Sequence, residues 1–176
     1  MLKTSLQRGF TMLELVISVA ILAILVALAV PSFKIMLANA QIRTAAQGLH
    51  DGLQLARVEA IRRNERVVFT KAAASAWTVS SESSGATLQT RPSTEGSAQA
   101  SITVTPSGAT QVTMNSFGRV VANTDASSSI AQMDIDIPTS VIAAPDSKDL
   151  RVTIASGGSI RLCDPNSPVG VGMSCQ

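Results

Sequence analysis

Few side chains in this sequence are equipped for chemistry, and one of them lies where a charge is costly. Glu14 stands at the start of a long apolar run, His50 adjoins Asp51, Asp134 alternates with Asp136, and Cys163 and Cys175 come late. A carboxylate beside an imidazole suits general-base work. Adjacent residues point to different parts of a helix surface, however, and no nucleophile is marked near them. The two aspartates project from one strand face and need further clustered oxygen ligands to hold calcium. No phosphate-binding glycine loop or zinc spacing is present. These residues predict no catalytic centre, no metal and no cofactor.

Composition points the same way. A chain of 176 residues suits one compact domain, or a smaller one with an accessory segment. Apolar residues make up 45%, too many for a disordered chain, and aromatics only 3%, too few for a base-stacking platform. The net charge of +2 comes from Lys3 and Arg8, without which cations and acids balance at twelve each. A small excess at one terminus is not the footprint of a strongly basic nucleic-acid binder.

The apolar run sets the architecture. From Phe10 to Val30 the chain carries twenty-one residues whose only charge is Glu14. At about 1.5 Å rise per residue, roughly 20 residues cross the hydrocarbon core. Lys3 and Arg8 precede the run, so the positive-inside rule places the N-terminus in the cytoplasm and the remainder outside. A cleaved secretory signal with Ala27-Leu28-Ala29 as its cut site, or a plain signal anchor, accounts for the hydropathy. Neither accounts for Glu14. A cut between Gly9 and Phe10 would create an amine one helical turn, about 6 Å, before that carboxylate. The carboxylate could neutralise this amine, or the same amine of a neighbouring subunit.

Gly9-Phe10-Thr11-Met12-Leu13-Glu14 followed by an apolar run resembles the class III signal of type IV pilins and pseudopilins. The resemblance implies that a prepilin peptidase cleaves after Gly9 and methylates Phe10, with Glu14 serving filament assembly. It also implies a long helix running through Pro31, where a soluble helix would break. Beyond the proline, Ile42, Ala46, Leu49, Leu53, Ala56 and Ala60 form one apolar stripe, opposite Arg43, Gln47 and Asp51. The helix should end near Asn64, with Arg57, Arg62 and Arg63 as solvated cations complementing the macrodipole. Gly48 and Gly52 form a small-xxx-small pair, a weak signal of close helix contact outside a membrane.

Short alternating segments follow. The pattern predicts strands over Val67–Thr70, Ala76–Ser80, Ile102–Thr105, Gln111–Met114, Arg119–Val121, Met133–Ile137, Leu150–Ala155 and Ser159–Cys163. The stretch 81–100 has no periodicity and reads as a long loop, mobile or functional. The expected fold class is α+β and pilin-like, a long N-terminal helix packed on an antiparallel β-sheet. Its parts are a leader over 1–9, a membrane segment over 10–31, an amphipathic continuation over 32–64 and a β-rich domain over 65–176.

Ala56-Arg57-Val58-Glu59-Ala60-Ile61-Arg62-Arg63-Asn64 and Val112-Thr113-Met114-Asn115-Ser116-Phe117-Gly118-Arg119-Val120 resemble the helix-end and sheet signatures of the GspH/FimT/FimU group. Cys163 and Cys175 lie on the side where disulfides persist, and Pro165, Pro168, Gly170 and Gly172 suit a looping segment between them. A Cys163–Cys175 bridge is therefore expected, with two free thiols as the alternative. Cys163-Asp164-Pro165 resembles FimT- and FimU-type pilins more than GspH of secretion systems.

Some FimT-type proteins bind DNA through a Gly-Arg-x-Arg segment. Here the matching stretch is Gly158-Ser159-Ile160-Arg161, which keeps only the second arginine. Arg151 and Arg161 are the candidate DNA contacts, and Lys148, Arg151 and Arg161 are offset by Asp146, Asp149 and Asp164.

The resemblance implies a minor pilin that primes or caps a type IV pilus, serving twitching motility, adhesion or natural transformation. A minor pseudopilin of type II secretion and a DNA-binding pilin are the alternatives. Its implied partners are the prepilin peptidase, other minor and major pilins or pseudopilins, and an inner-membrane assembly platform. Its implied location is the inner membrane, single-pass, with the β-rich domain in the periplasm.

Overall fold

A single helix organises the molecule. In this computed structural model, which describes residues 10–170 and 172–175, α1 spans Met12–Arg63, 52 residues. Thr11 caps its start by accepting the Glu14 amide hydrogen on Oγ1 at 3.2 Å. Asn64 ends it in the left-handed conformation (φ 52°), and the Glu65 amide donates to the Ala60 carbonyl at 3.2 Å. Pro31 lies inside the helix, which continues through it as the pilin resemblance implied.

The two halves of α1 have opposite surroundings. Among the described residues its apolar, membrane-length stretch buries no side chain, and large side chains from Phe10 to Phe33 are exposed. From Ala38 to Ala60 the stripe read from sequence is buried: Ile42, Ala46, Leu49, Leu53, Ala56 and Ala60 have no exposed surface. Alanines and glycines dominate this seam, so the helix axis approaches the strands closely.

Among the described residues nine strands form two antiparallel sheets, where the sequence had suggested one. They are β1 (Val67–Lys71), β2 (Trp77–Ser81), β3 (Thr87–Arg91), β4 (Ser101–Thr105), β5 (Gln111–Met114), β6 (Val120–Val121), β7 (Gln132–Asp136), β8 (Leu150–Ile154) and β9 (Ile160–Cys163). One sheet has the order β3-β2-β1-β5-β6 and the other β4-β7-β8-β9. The stretch 81–100 is corrected in part, because it contains β3. Thr90 pairs with Thr78 on β2, and their hydroxyls meet at 2.9 Å. This edge strand is mostly exposed and follows an irregularity at Val79/Ser80, so it carries no clean alternation.

α1 contacts β1, β2 and β5 of the first sheet and β7, β8 and β9 of the second. Val67, Phe69, Val79, Val112 and Met114 line one side of the seam, and Met133, Ile135 and Val152 the other, all fully buried. Gly48 and Gly52 make room for strand side chains rather than for another helix. A Cβ on Gly52 would stand 2.7 Å from the Trp77 ring and 2.9 Å from Phe69, while one on Gly48 would meet the Arg91 guanidinium. The Phe69 and Trp77 rings lie 5.9 Å apart, tilted by 32°.

Candidate assembly site

Glu14 sits in the first turn of α1, flanked by exposed leucines, with Phe10 exposed one turn before it. Thr11 and Glu14 occupy the N-cap and N3 positions of a capping box, in which the N3 carboxylate would return to the cap amide. That signature was legible in Thr11-Met12-Leu13-Glu14 and offers a second, local reason for an acid there. Gly9 lies outside the described residues.

At the far end of α1 the cations divide. Glu59 accepts from Arg62 Nη2 at 2.7 Å and from Arg63 Nε at 2.6 Å. Arg62 first, then Arg63, holds its carboxyl well below the ordinary value of 4.5, at about 2. Because the folded value is depressed, the stabilisation is complete above the unfolded value and fades as pH falls towards 2. The urea midpoint of Glu59→Gln should lie below that of the parent at pH 7. The gap should close between pH 4.5 and 2, as denaturation curves at stepped pH would record.

Arg57 behaves differently from its neighbours. Its Nε is buried against the turn at Gly118 and has no hydrogen-bond partner among the described residues. The expectation of a merely solvated cation is corrected there, since the side chain is partly buried.

The C-terminal loop is tied down. Cys163 and Cys175 are bonded, with Cα atoms 5.0 Å apart, and the Asp164 amide donates to the Met173 carbonyl at 2.7 Å. Replacing both cysteines by serine should lower stability by about 3 kcal/mol in the chain-entropy account. Thermal melts of the oxidised parent and the double variant measure it.

The candidate DNA contacts are not brought together as a free cationic pair. Arg151 Nε donates to Asp134 Oδ1 at 2.5 Å across β7 and β8, and Asp134 Oδ2 also accepts from Gln132 at 2.7 Å. Arg161 faces solvent opposite Thr153. Asp136 is engaged by the Ser147 hydroxyl at 2.6 Å, and the same oxygen lies 2.7 Å from Asp149. Burial, with Asp136 as a like-charged neighbour, raises the Asp149 carboxyl above its ordinary value. His50 and Asp51 do meet, at 3.2 Å, although neighbouring helix positions were expected to diverge. The exposed Asp51 carboxylate folds back along the helix surface.

Sequence reasoning missed one feature here. Phe117, in the turn between β5 and β6, is exposed by 80%, and its neighbour Gly118 lies against Ile61 and Arg57. A turn residue belongs to no periodic pattern, so its exposure had no signal.

A half-exposed apolar helix, continued as a buried seam against antiparallel sheets and ending in a disulfide loop, defines the pilin class of fold. Residues 45–174 match the family model described as type II transport protein GspH, and residues 4–30 match the prokaryotic N-terminal methylation motif. The chain belongs to the GspH family of type IV minor pilins and pseudopilins, which are structural subunits. The type IV major fimbrial protein FimA of Dichelobacter nodosus is 44% identical over 63 residues, 35% of this chain. A second FimA of that organism is 49% identical over 53 residues, 29% of this chain and 31% of its own length. The chain spans 38% of the length of the first of these relatives. In fold, it is similar to the type IV minor pilin FimU of Pseudomonas aeruginosa, with a TM-score of 0.52 at 18% identity. That likeness covers 77% of this chain and 95% of FimU.

Proposed function

We propose that this chain is a minor pilin that primes or caps a type IV pilus. Prepilin peptidase removes residues 1–9 and methylates the amine of Phe10. The stretch 10–31 then waits in the inner membrane, with the N-terminus cytoplasmic and residues 65–176 in the periplasm. The assembly platform draws the helix into a bundle with other pilins, and Glu14 pairs with a terminal amine there. No catalytic step is part of this role.

The observation that carries the reading is the division of α1. One continuous helix leaves a membrane-length stretch uncovered and buries the rest against its own sheets. A lone anchor could use the acid only as a helix cap, whereas a bundle of processed helices also gives its charge a terminal amine to meet. Mass spectrometry of the mature chain is the test. An N-methylated Phe10 terminus is expected; a terminus at Met1 or Val30 would refute the reading.

A minor pseudopilin of type II secretion is the second reading, favoured by the description of the matching family model. Deletion separates the two: loss of twitching marks the pilus, and loss of exoprotein secretion marks the pseudopilus. DNA uptake is the weakest role, because Arg151 is neutralised by Asp134 and one arginine of the pattern is a serine. Gel shifts at low salt should show no DNA binding in the micromolar range.

A further inference from the structure

Ser147 stands between two acids. Its Oγ lies 2.6 Å from Asp136 Oδ1 and 2.7 Å from Asp149 Oδ1, both hydrogen-bond distances. A hydroxyl carries one proton, so Ser147 can donate to only one of the two carboxyls and must accept from the other. An ionised carboxylate has no proton to give. The arrangement therefore needs one acid in its protonated form. Asp136 is exposed and its Oδ1 also accepts the Ile137 amide hydrogen at 2.6 Å, which suits the anion. Asp149 is half-buried, and burial, with Asp136 beside it, raises its carboxyl above the ordinary 3.8.

The groups around the pair leave that need in place. From α1, Arg43 lines the cleft that Asp149 also lines, together with Lys148 and, from the C-terminal loop, Asp164. Among the described residues neither Arg43 nor Lys148 forms an ion pair. Asn166 of the same loop donates to Asp149 Oδ2 at 3.4 Å. Asp134 and Arg151 neutralise each other, and β4 sets only Ser101 opposite Asp136. Asp146 takes part through its backbone carbonyl.

We propose that these three side chains form a proton-operated latch, in which Asp149 donates to the Ser147 hydroxyl and that hydroxyl donates to the Asp136 carboxylate. As pH rises the Asp149 proton leaves to water, two carboxylates face one hydroxyl proton, and one bond is lost. The latch fastens a segment that grips α1. Asn39 Nδ2 donates to the Asp146 carbonyl at 2.9 Å, and Asn39 Oδ1 accepts the Lys148 amide hydrogen at 2.8 Å. Asn39 adjoins Ala38, where the buried seam of α1 begins. A carboxyl raised in the folded state stabilises in acid and ceases to as pH climbs through its folded value. Acid thus tightens the hold on α1 at the end of its uncovered stretch, and base loosens it. The device stands whether or not the chain is a fibre subunit.

Amide hydrogen exchange of the full chain in detergent micelles tests this, with EDTA present so that no cation replaces the proton. The Lys148 amide reports the grip. Its protection factor, relative to an unstructured peptide at each pH, should fall about tenfold between about pH 4 and about pH 7.5. In Asp149→Asn, whose amide donates at any pH, protection should stay at the parent's acid level throughout. Asp136→Asn, which removes the like charge, should abolish the fall as well. Carbon-detected NMR of the parent, which needs no variant, should show the Asp149 carboxyl titrating above 3.8. A flat parent profile overturns the latch. So does a fall that persists in Asp149→Asn, or an Asp149 carboxyl that titrates at or below 3.8.

Discussion

Replacing Glu14 by alanine should leave the amount of chain in the membrane fraction unchanged and cut the amount recovered in sheared fibres by about tenfold or more. Insertion does not suffer, because a carboxylate costs up to about 2.5–3.5 kcal/mol at a helix centre on insertion scales and alanine does not. Assembly suffers because a terminal amine in the bundle loses its counter-charge. At 4 Å and an effective dielectric constant near 20, such a pair interacts by about 4 kcal/mol, and a tenfold change needs only about 1.4 kcal/mol. Thr11 and Glu14 also fit a capping box, so a helix-end role must be separated from a charge role. Glutamine serves a capping box as glutamate does, but carries no charge. Glu14→Gln should therefore fail in assembly as alanine does. Fibres assembled normally by the glutamine variant would assign Glu14 to capping, and immunoblots of membrane and fibre fractions decide between the two.

Gly158→Ala is expected to be the most damaging single-methyl change in the β-rich domain. Gly158 lies in the turn between β8 and β9 with φ +83°, and a Cβ there would stand 1.7 Å from the Gly118 carbonyl oxygen. Neither atom is at the end of a flexible side chain, so the two turns must part. The Val120 amide, which donates to the Ser156 carbonyl at 3.1 Å, would lose its partner as they do. Left-handed strain and the clash together should cost about 3 kcal/mol or more, a fall in melting temperature of about 6–12 °C. Gly157→Ala is the control. Its Cβ would meet nothing within 4 Å, and its melting temperature should stay close to the parent's.

Different parts of this architecture were legible for different reasons. The stripe from Ile42 to Ala60 was readable because a helix buried on one side repeats its apolar residues every three or four positions, whatever it packs against. Most strands announced themselves by alternation, as in Gln132–Asp136, where Met133 and Ile135 are buried. Alternation names a face and not a partner, so the division into two sheets could not be read from it. The edge strand Thr87–Arg91 was hidden because little of it is buried.

The site divided along the same line. The proposed roles of Gly9, Phe10 and Glu14 come from the sequence alone, where a carboxylate at the start of an apolar run is chemically conspicuous. Gly48 and Gly52 were noticed, but their meaning depends on Trp77, Phe69 and Arg91, which arrive from distant strands. The packing of Gly118 against Ile61 and Arg57 needs three-dimensional placement altogether, since it joins a helix end to a turn more than fifty residues later.

One mechanical property follows from the length of α1. At about 1.5 Å per residue, 52 residues make a rod of about 78 Å, uncovered at one end and clasped by β1, β2, β5, β7, β8 and β9 at the other. Tension applied along the rod reaches the clasp as shear, parallel to the seam, and loads both sheets at once. Rupture then requires the whole row from Ala38 to Ala60 to slide together, instead of opening residue by residue from one edge.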